Sequence, residues 1–220
     1  MFVQTINRDH DSYPVQLKQL SDPPEQIYCS GEGRILRGPF LSIVGAREVK
    51  YWVKEWLEAE LLPVLKELNI GVVSGGARGV DQYAHWLAVR ADVPTVVVLP
   101  SGLDNVYPKS LSSFIKKKSV SLVTEYAPDT EMRKHHFYNR NRIIAALTPL
   151  TFVVQSSEKS GTMITAKKAI DLGKCVATLP GHPVDPSFSG NNQLLYDGAM
   201  MVRNQNDLKQ LILSEIPMGD

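Results

Sequence analysis

The chain has 220 residues, which suffices for one α/β domain with a well-packed core. Hydrophobic residues make up 43% of it and charged residues 21%, both ordinary for a globular protein. The formal net charge is +1, so binding of a polyanion would have to depend on a local basic cluster. No apolar run approaches the roughly 18 residues of a membrane span.

The amino-terminal sequence MFVQTINRDHD lacks the basic start and apolar stretch of a signal peptide. The two cysteines, Cys29 and Cys175, are too few for a disulfide framework, and no CxxC or Cys/His cluster indicates a metal site. We therefore expect a cytoplasmic protein with no metal, no cofactor and no association with a membrane.

The chain is predicted to have three parts. Residues 1–38 form a loop-rich amino-terminal extension that packs on the main domain, because turn signals such as Tyr13-Pro14 recur there. Residues 39–205 alternate short apolar runs with longer amphipathic stretches, and 206–220 form a carboxyl-terminal helix or tail.

Six runs rich in β-branched residues are typical of strands buried on both faces of a parallel sheet, at 41–46, 70–74, 95–99, 121–124, 150–154 and 175–179. Stretches of helical character lie between them, at 49–68, 80–91, 109–117, 141–147 and 162–172. The alternation predicts a single-domain α/β protein with an extended Rossmann-like, doubly wound, mostly parallel sheet. Ligands of such sheets bind beyond the carboxyl ends of the strands.

Two predicted strands end in segments suited to phosphate. Gly45 and Arg47 follow the first strand, where glycine admits a close approach and arginine can donate two hydrogen bonds. The sequence SGGARGVD at 74–81 follows the second strand and opens a helix whose free N–H groups favour an anion. Its glycine spacing matches neither a P-loop nor a dinucleotide fingerprint. We interpret it as a phosphate-binding loop.

Asp81 and His85 lie one helical turn apart on the same predicted helix face. A carboxylate–imidazole pair could act in acid–base catalysis. We favour the other interpretation, in which Asp81 braces the glycine-rich loop and His85 packs beneath it.

The segment 132–142, MRKHHFYNRNR, interleaves basic and aromatic residues. Cations suit the phosphates of a nucleic-acid strand, and an exposed ring offers a stacking face to an unpaired base. If the segment were only the charged first turn of a helix, its cations would be explained, but Phe137 and Tyr138 would not. Further along, Ser160, Gly161 and Thr162 could cap a helix or hold a second phosphate.

Taken in order, the motifs resemble the DNA-processing protein A family (DprA, also called Smf). They are IVGAR (43–47), SGGARGVDQYAH (74–85), SGLDNVYP (101–108), TEY (124–126), FxxRNRIIAAL (137–147), SGTMITAKKA (160–169), LPG (179–181) and GNNQLLYDGA (190–199). The resemblance implies a Rossmann-like protein that binds single-stranded DNA without sequence preference. It also implies that the protein acts in natural transformation and loads RecA onto DNA. The resemblance further implies a homodimer without enzymatic activity.

In this resemblance Lys134 matches the family's phosphate-contacting lysine, Phe137 its base-contacting aromatic residue, and Arg140 and Arg142 its RNR motif. The family's helical amino-terminal domain and its winged-helix carboxyl-terminal domain have no counterpart in these residues. The full set of residues expected at the DNA pocket is Gly45, Arg47, Ser74, Gly75, Gly79, Lys134, Phe137, Arg140, Arg142, Ser160, Gly161 and Thr162.

Two other functions fit parts of the pattern. One is an enzyme or sensor of small nucleotides, like the lysine-decarboxylase-like Rossmann proteins, with Asp81, His85 and Glu125 as acid–base groups. Against it, SEKSGTMITA lacks the glutamate of their PGGxGTxxE loop. The other is a protein-binding adaptor that uses the apolar stretch LLYDGAMMV at 194–202, which we expect to be core strand and helix.

Overall fold

A computed structural model describes residues 3–30, 38–111, 114 and 117–218 of the chain. These residues form one nine-stranded sheet with helices on both faces, so the predicted α/β fold is confirmed. The strands β1 to β9 are Val3–Asn7, Gln26–Ser30, Phe40–Val44, Gly71–Ser74, Thr95–Val98, Val120–Thr124, Leu150–Val153, Cys175–Thr178 and Met200–Met201.

The helices surround this sheet, and none within the described ranges combines the length and apolarity needed to cross a bilayer. A π-helical turn at Leu57–Leu61 joins the first two helices, so the predicted helix at 49–68 is one rod with an irregular middle. The α-helices α1 to α7 are Tyr51–Trp56, Leu62–Leu68, Val80–Arg90, Lys134–Leu147, Gly161–Asp171, Ser189–Tyr196 and Gln205–Glu215.

The strands are arranged in the order β1-β2-β6-β5-β4-β3-β7-β8-β9. The pairs β1–β2 and β2–β6 are antiparallel, and the other pairs are parallel. From β3 the chain proceeds outward through β4, β5 and β6, and it later returns to build β7, β8 and β9 on the other side. The carboxyl ends of β3, β4 and β7 therefore meet at a topological switch point.

Both faces of the central strands are buried. In β3, Leu41 and Ile43 contribute to a core under α1, α2, α3 and α7, whereas Val44 packs toward α4 and α5 on the opposite face. Burial on both faces explains why these strands have mainly apolar sequences without a regular alternation of polar residues. Phe152 in β7 is among the largest fully buried side chains of the described residues.

The amino-terminal extension contains two strands that were not predicted. Strands β1 and β2 form an antiparallel pair, and β2 joins the main sheet beside β6. Ile6, Leu17 and Ile27 are buried in the same apolar cluster as residues of α4. Both strands are partly exposed, so their sequences lack the mainly apolar character of the central strands.

Two predicted helices differ from the structure. The one expected at 109–117 begins as a 3-10 turn at Lys109–Leu111, and residues 112–113 and 115–116 lie outside the described part of the chain. The one expected at 141–147 begins at Lys134 instead, because the charged and aromatic segment before Asn141 is itself helical. The functional residues of that segment thus lie on one rigid element.

His85 of α3 is completely buried against β5. Its Nδ1 lies 2.7 Å from Thr95 Oγ1, whose hydroxyl donates to the carbonyl of Val72, so Nδ1 is the donor to the threonine. Burial, reinforced by the positive charge of Arg140, lowers the pKa of His85 from 6.5 to about 3. His85 is therefore neutral near pH 7.

This burial makes stability dependent on pH. The unfolded chain takes up a proton at His85 below pH 6.5, but the folded protein does so only near pH 3. Stability is thus intact above pH 6.5 and falls as the pH drops, by about 1.4 kcal/mol per pH unit from this group. Urea unfolding of His85→Asn at a series of pH values should give a slope shallower by that amount between about pH 6 and about pH 4. Equal slopes would contradict the assignment.

Candidate anion-binding site

A cavity of about 210 Å³ lies at the switch point, between the loops after β3, β4 and β7 and the starts of α4 and α5. It brings together eight of the residues singled out from the sequence. They are Gly45, Arg47, Asp81, Phe137, Arg140, Ser160, Gly161 and Thr162.

Backbone hydrogen bonds hold the three loops as one unit around Ala46. Its N–H donates to the carbonyl of Gln155 at 2.7 Å, and its carbonyl accepts from Val80 N at 3.0 Å. The buried Gln155 side chain accepts from Lys50 N at 3.0 Å and donates to the Glu48 carbonyl at 3.1 Å. The loop that carries Arg47 is therefore fixed at both of its ends.

Asp81 lies beneath this junction and is buried. Its carboxylate accepts hydrogen bonds from the backbone N–H groups of Gly45, Gly75 and Ala77. Burial raises the pKa of Asp81, and the charge of Arg140 together with these N–H donors opposes that rise. The carboxylate thus links the β3 and β4 loops.

Arg140 of α4 is a buried cation on the cavity wall, with 4% of its surface exposed. Burial lowers its pKa, and the Asp81 carboxylate partly compensates. Its Nε has no hydrogen-bond partner among the residues that the structure describes. A buried guanidinium with an unused donor is costly unless an anion completes its interactions.

Gly75 is required for the position of Arg140. A Cβ at Gly75 would lie 1.2 Å from Arg140 Nη1, so the guanidinium occupies the space where a side chain would stand. Gly79 has φ +90°, and a Cβ there would lie 2.2 Å from the Ala46 carbonyl oxygen. Both glycines therefore permit close contacts within the protein, between loop and arginine and between loop and loop.

Three helices begin at this edge and direct their positive dipole ends toward it: α3, α4 and α5. Ser160 caps α5, since its hydroxyl accepts from Met163 N at 3.4 Å. Asn141 donates through Nδ2 to the Gly161 carbonyl at 3.3 Å and so joins α4 to the start of α5. A Cβ at Gly161 would meet no atom within 4 Å, which leaves this part of the rim open.

The rim also has aromatic side chains. Phe137 is half-buried and packs edge to face against Tyr107, with ring centroids 5.9 Å apart. Tyr107 was not predicted as a site residue, although it lies in the motif SGLDNVYP, and 43% of its surface is exposed. These rings and Arg78 contribute to a small cavity of about 50 Å³ beside the main one.

Five expected residues do not line the main cavity: Gly75 and Gly79, whose roles are given above, and Ser74, Lys134 and Arg142. Ser74 is fully buried, and its hydroxyl donates to the Ile43 carbonyl at 2.5 Å. Lys134 is exposed at the first turn of α4, one turn before Phe137 and on the same side of the helix. Arg142 is about 200° around the helix from Arg140, and it forms an ion pair with Glu125 at 2.5 Å. It therefore faces away from the cavity.

The fold and this site together define a Rossmann-like protein with a cationic cleft at its switch point. The family of DNA recombination-mediator protein A matches residues 4–213, and the chain belongs to that family. The DNA processing protein DprA of Bacillus subtilis is 32% identical over 219 residues, which are 98% of this chain and 72% of that protein. The resemblance noted from the sequence motifs is thus confirmed.

Two solved structures have the same fold. DprA from Streptococcus pneumoniae superposes with a TM-score of 0.88 and 29% identity, covering 98% of this chain and 75% of that one. DprA from Helicobacter pylori, whose structure is described for its single-stranded DNA binding mode, superposes with a TM-score of 0.84 and 28% identity. The latter match covers 98% of this chain and 97% of that one.

The contrast between two glycines of the site provides a test. Gly75→Ala must displace the Arg140 guanidinium and should lower the free energy of unfolding by about 1–3 kcal/mol. Gly161→Ala enters open space and should change it by no more than about 0.5 kcal/mol. Urea unfolding of the two variants measures the difference, and equal effects would show that Gly75 has no special role.

Proposed function

We propose that this chain binds single-stranded DNA without sequence preference at the cleft formed by the β3, β4 and β7 loops. The observation that carries the proposal is Arg140, a buried cation on the cavity wall whose Nε lacks a partner among the described residues. Together with the exposed Arg47 and the amino terminus of α5, it supplies donors for a phosphate. Ser160, Gly161 and Thr162 supply the opposite wall.

The aromatic rim favours a single strand over a duplex. A base can stack on Phe137 or Tyr107 only if its faces are free, which they are not inside a double helix. Lys134 lies on the same side of α4 as Phe137 and is placed to meet a neighbouring phosphate. The single-stranded DNA binding described for the Helicobacter pylori relative supports this assignment. The roles of Ser74 and Gly79 are then to shape the loops, and that of Arg142 is to anchor α4.

The potential acid–base groups are all engaged in the fold, which argues for binding rather than catalysis. Asp81 is held by backbone N–H groups, and His85 is fully buried and donates to Thr95. Glu125 pairs with Arg142, and burial raises its pKa. We therefore favour a DNA-binding protein over a nucleotide-processing enzyme.

The family description supports a role in recombination. We propose that the protein acts in the cytoplasm on DNA taken up during natural transformation and passes the bound strand to the RecA recombinase.

The salt dependence of binding tests the site. Arg47→Ala should weaken binding of a fluorescent oligothymidylate about 10-fold or more and reduce the slope of log K against log salt by about 0.7. Arg203→Ala is the matched control, since Arg203 is also exposed but pairs with Asp207 on α7. An equal loss in both variants would refute the proposed site. Equal competition by duplex DNA would refute the preference for a single strand.

We also propose a homodimer through the edge of the sheet at β9. This strand pairs only with β8 among the described strands, so its outer edge is open. Met200 and Met201 are each 50% exposed, and Tyr196 nearby is 88% exposed. The same segment supplies core residues, Leu194 and Val202, as expected from the sequence. An open edge with apolar side chains is suited to pairing with a second copy.

Light scattering tests the dimer. Replacing Met200 and Met201 together with Glu should convert it to a monomer, because like charges would face each other across the interface. The fold should survive, since both side chains are half-exposed. Val15→Glu is the control, because Val15 is 66% exposed and precedes β2 at the opposite end of the sheet. A wild type that is monomeric, or a double variant that stays dimeric, would contradict the proposal.

A further inference from the structure

A second cavity, of about 330 Å³, lies on the other side of the same sheet edge, between α1 and α3. Its lining includes three cations, Arg47, Lys54 and Arg78, and two aromatic residues, Tyr83 and Trp86. No carboxylate is among the described residues that line it. The combination of fixed positive charge and aromatic surface is the one that suits a single strand of nucleic acid.

This cavity adjoins the proposed DNA site. Arg47 lines the main cavity, the small cavity beside Phe137 and this one, and Arg78 lines the last two. The three spaces therefore follow one another across the end of the sheet, from the α4 and α5 face to the α1 and α3 face. The two arginines lie where the path crosses the edge.

Trp86 is the exposed aromatic surface of the second cavity, with 42% of its surface accessible. Its ring lies 5.3 Å from that of Tyr83, and Arg90 Cζ lies 4.5 Å from its centroid. Glu58 accepts from Tyr83 Oη at 2.7 Å and pairs with Arg90, so its charge is compensated within the cluster. The ring is therefore held in place before a ligand arrives, which lowers the entropy cost of stacking.

We propose that this groove is a second subsite for the same DNA strand. A strand that leaves the main cavity passes Arg47 and Arg78 with its phosphates and packs a base against the exposed part of Trp86 that Arg90 leaves free. The proposal rests on the proposed function, because it requires a strand in the main cavity. Trp86 then contributes to the affinity for strands long enough to reach the second cavity, and it does not contribute to the affinity for the shortest strands.

The test compares oligothymidylates of about 4 and about 16 nucleotides. Trp86→Ala should leave the affinity for the short strand unchanged and weaken the long one about 5- to 100-fold. Trp52→Ala is the matched control, since Trp52 is 39% exposed on α1 but stacks on Phe188 outside the groove.

The outcomes separate the two proposals. If the wild type binds neither strand, the proposed function itself fails. If it binds both and Trp86→Ala weakens neither, or weakens both equally, the subsite is refuted while the proposed function stands. If Trp86→Ala changes the oligomeric state by light scattering, this face contacts a second copy of the chain, and the subsite is again refuted.

Discussion

The site depends on one pair of opposite charges, the Asp81 carboxylate and the Arg140 guanidinium, both buried beneath the loops at the switch point. Burial opposes each charge, and each is maintained partly by the other. The carboxylate also accepts from the N–H groups of Gly45 and Gly75, so the same interaction that stabilises the arginine sets the position of two loops. The location of Arg47 and the shape of the cavity follow from this arrangement.

This arrangement changes the interpretation of the glycine-rich segment at 74–81. From the sequence, its glycines would admit a phosphate close to the backbone. In the structure, Gly75 admits an arginine side chain and Gly79 admits the neighbouring loop. In the proposed site, the donors for an anion are therefore the guanidinium groups and the amino terminus of α5. The glycines contribute indirectly, because they let those groups come close together. Gly161, which faces open space, is the glycine that leaves room for a ligand.

The central strands and the switch point could be predicted because burial on both faces gives β3 to β8 mainly apolar sequences. Strands β1 and β2 could not, since they are partly exposed and separated by turn signals. The family motif identified Arg140 and Arg142 together, but helical geometry directs them to opposite sides of α4. Tyr107 lies within a family motif and Trp86 directly follows one, but no local pattern marks either ring as part of the site. Only the packing of distant segments places them beside Arg47 and Arg78.

The contact between Gly75 and Arg140 has a consequence for how this sequence can evolve. Any side chain at position 75 would overlap the guanidinium, and any shorter residue at 140 would leave a void beneath the loop and an uncompensated Asp81. Neither position can therefore vary freely while the other is retained. The two residues are distant in the chain and lie on different elements. We nevertheless expect positions 75 and 140 to covary among related sequences, so that both change or neither does.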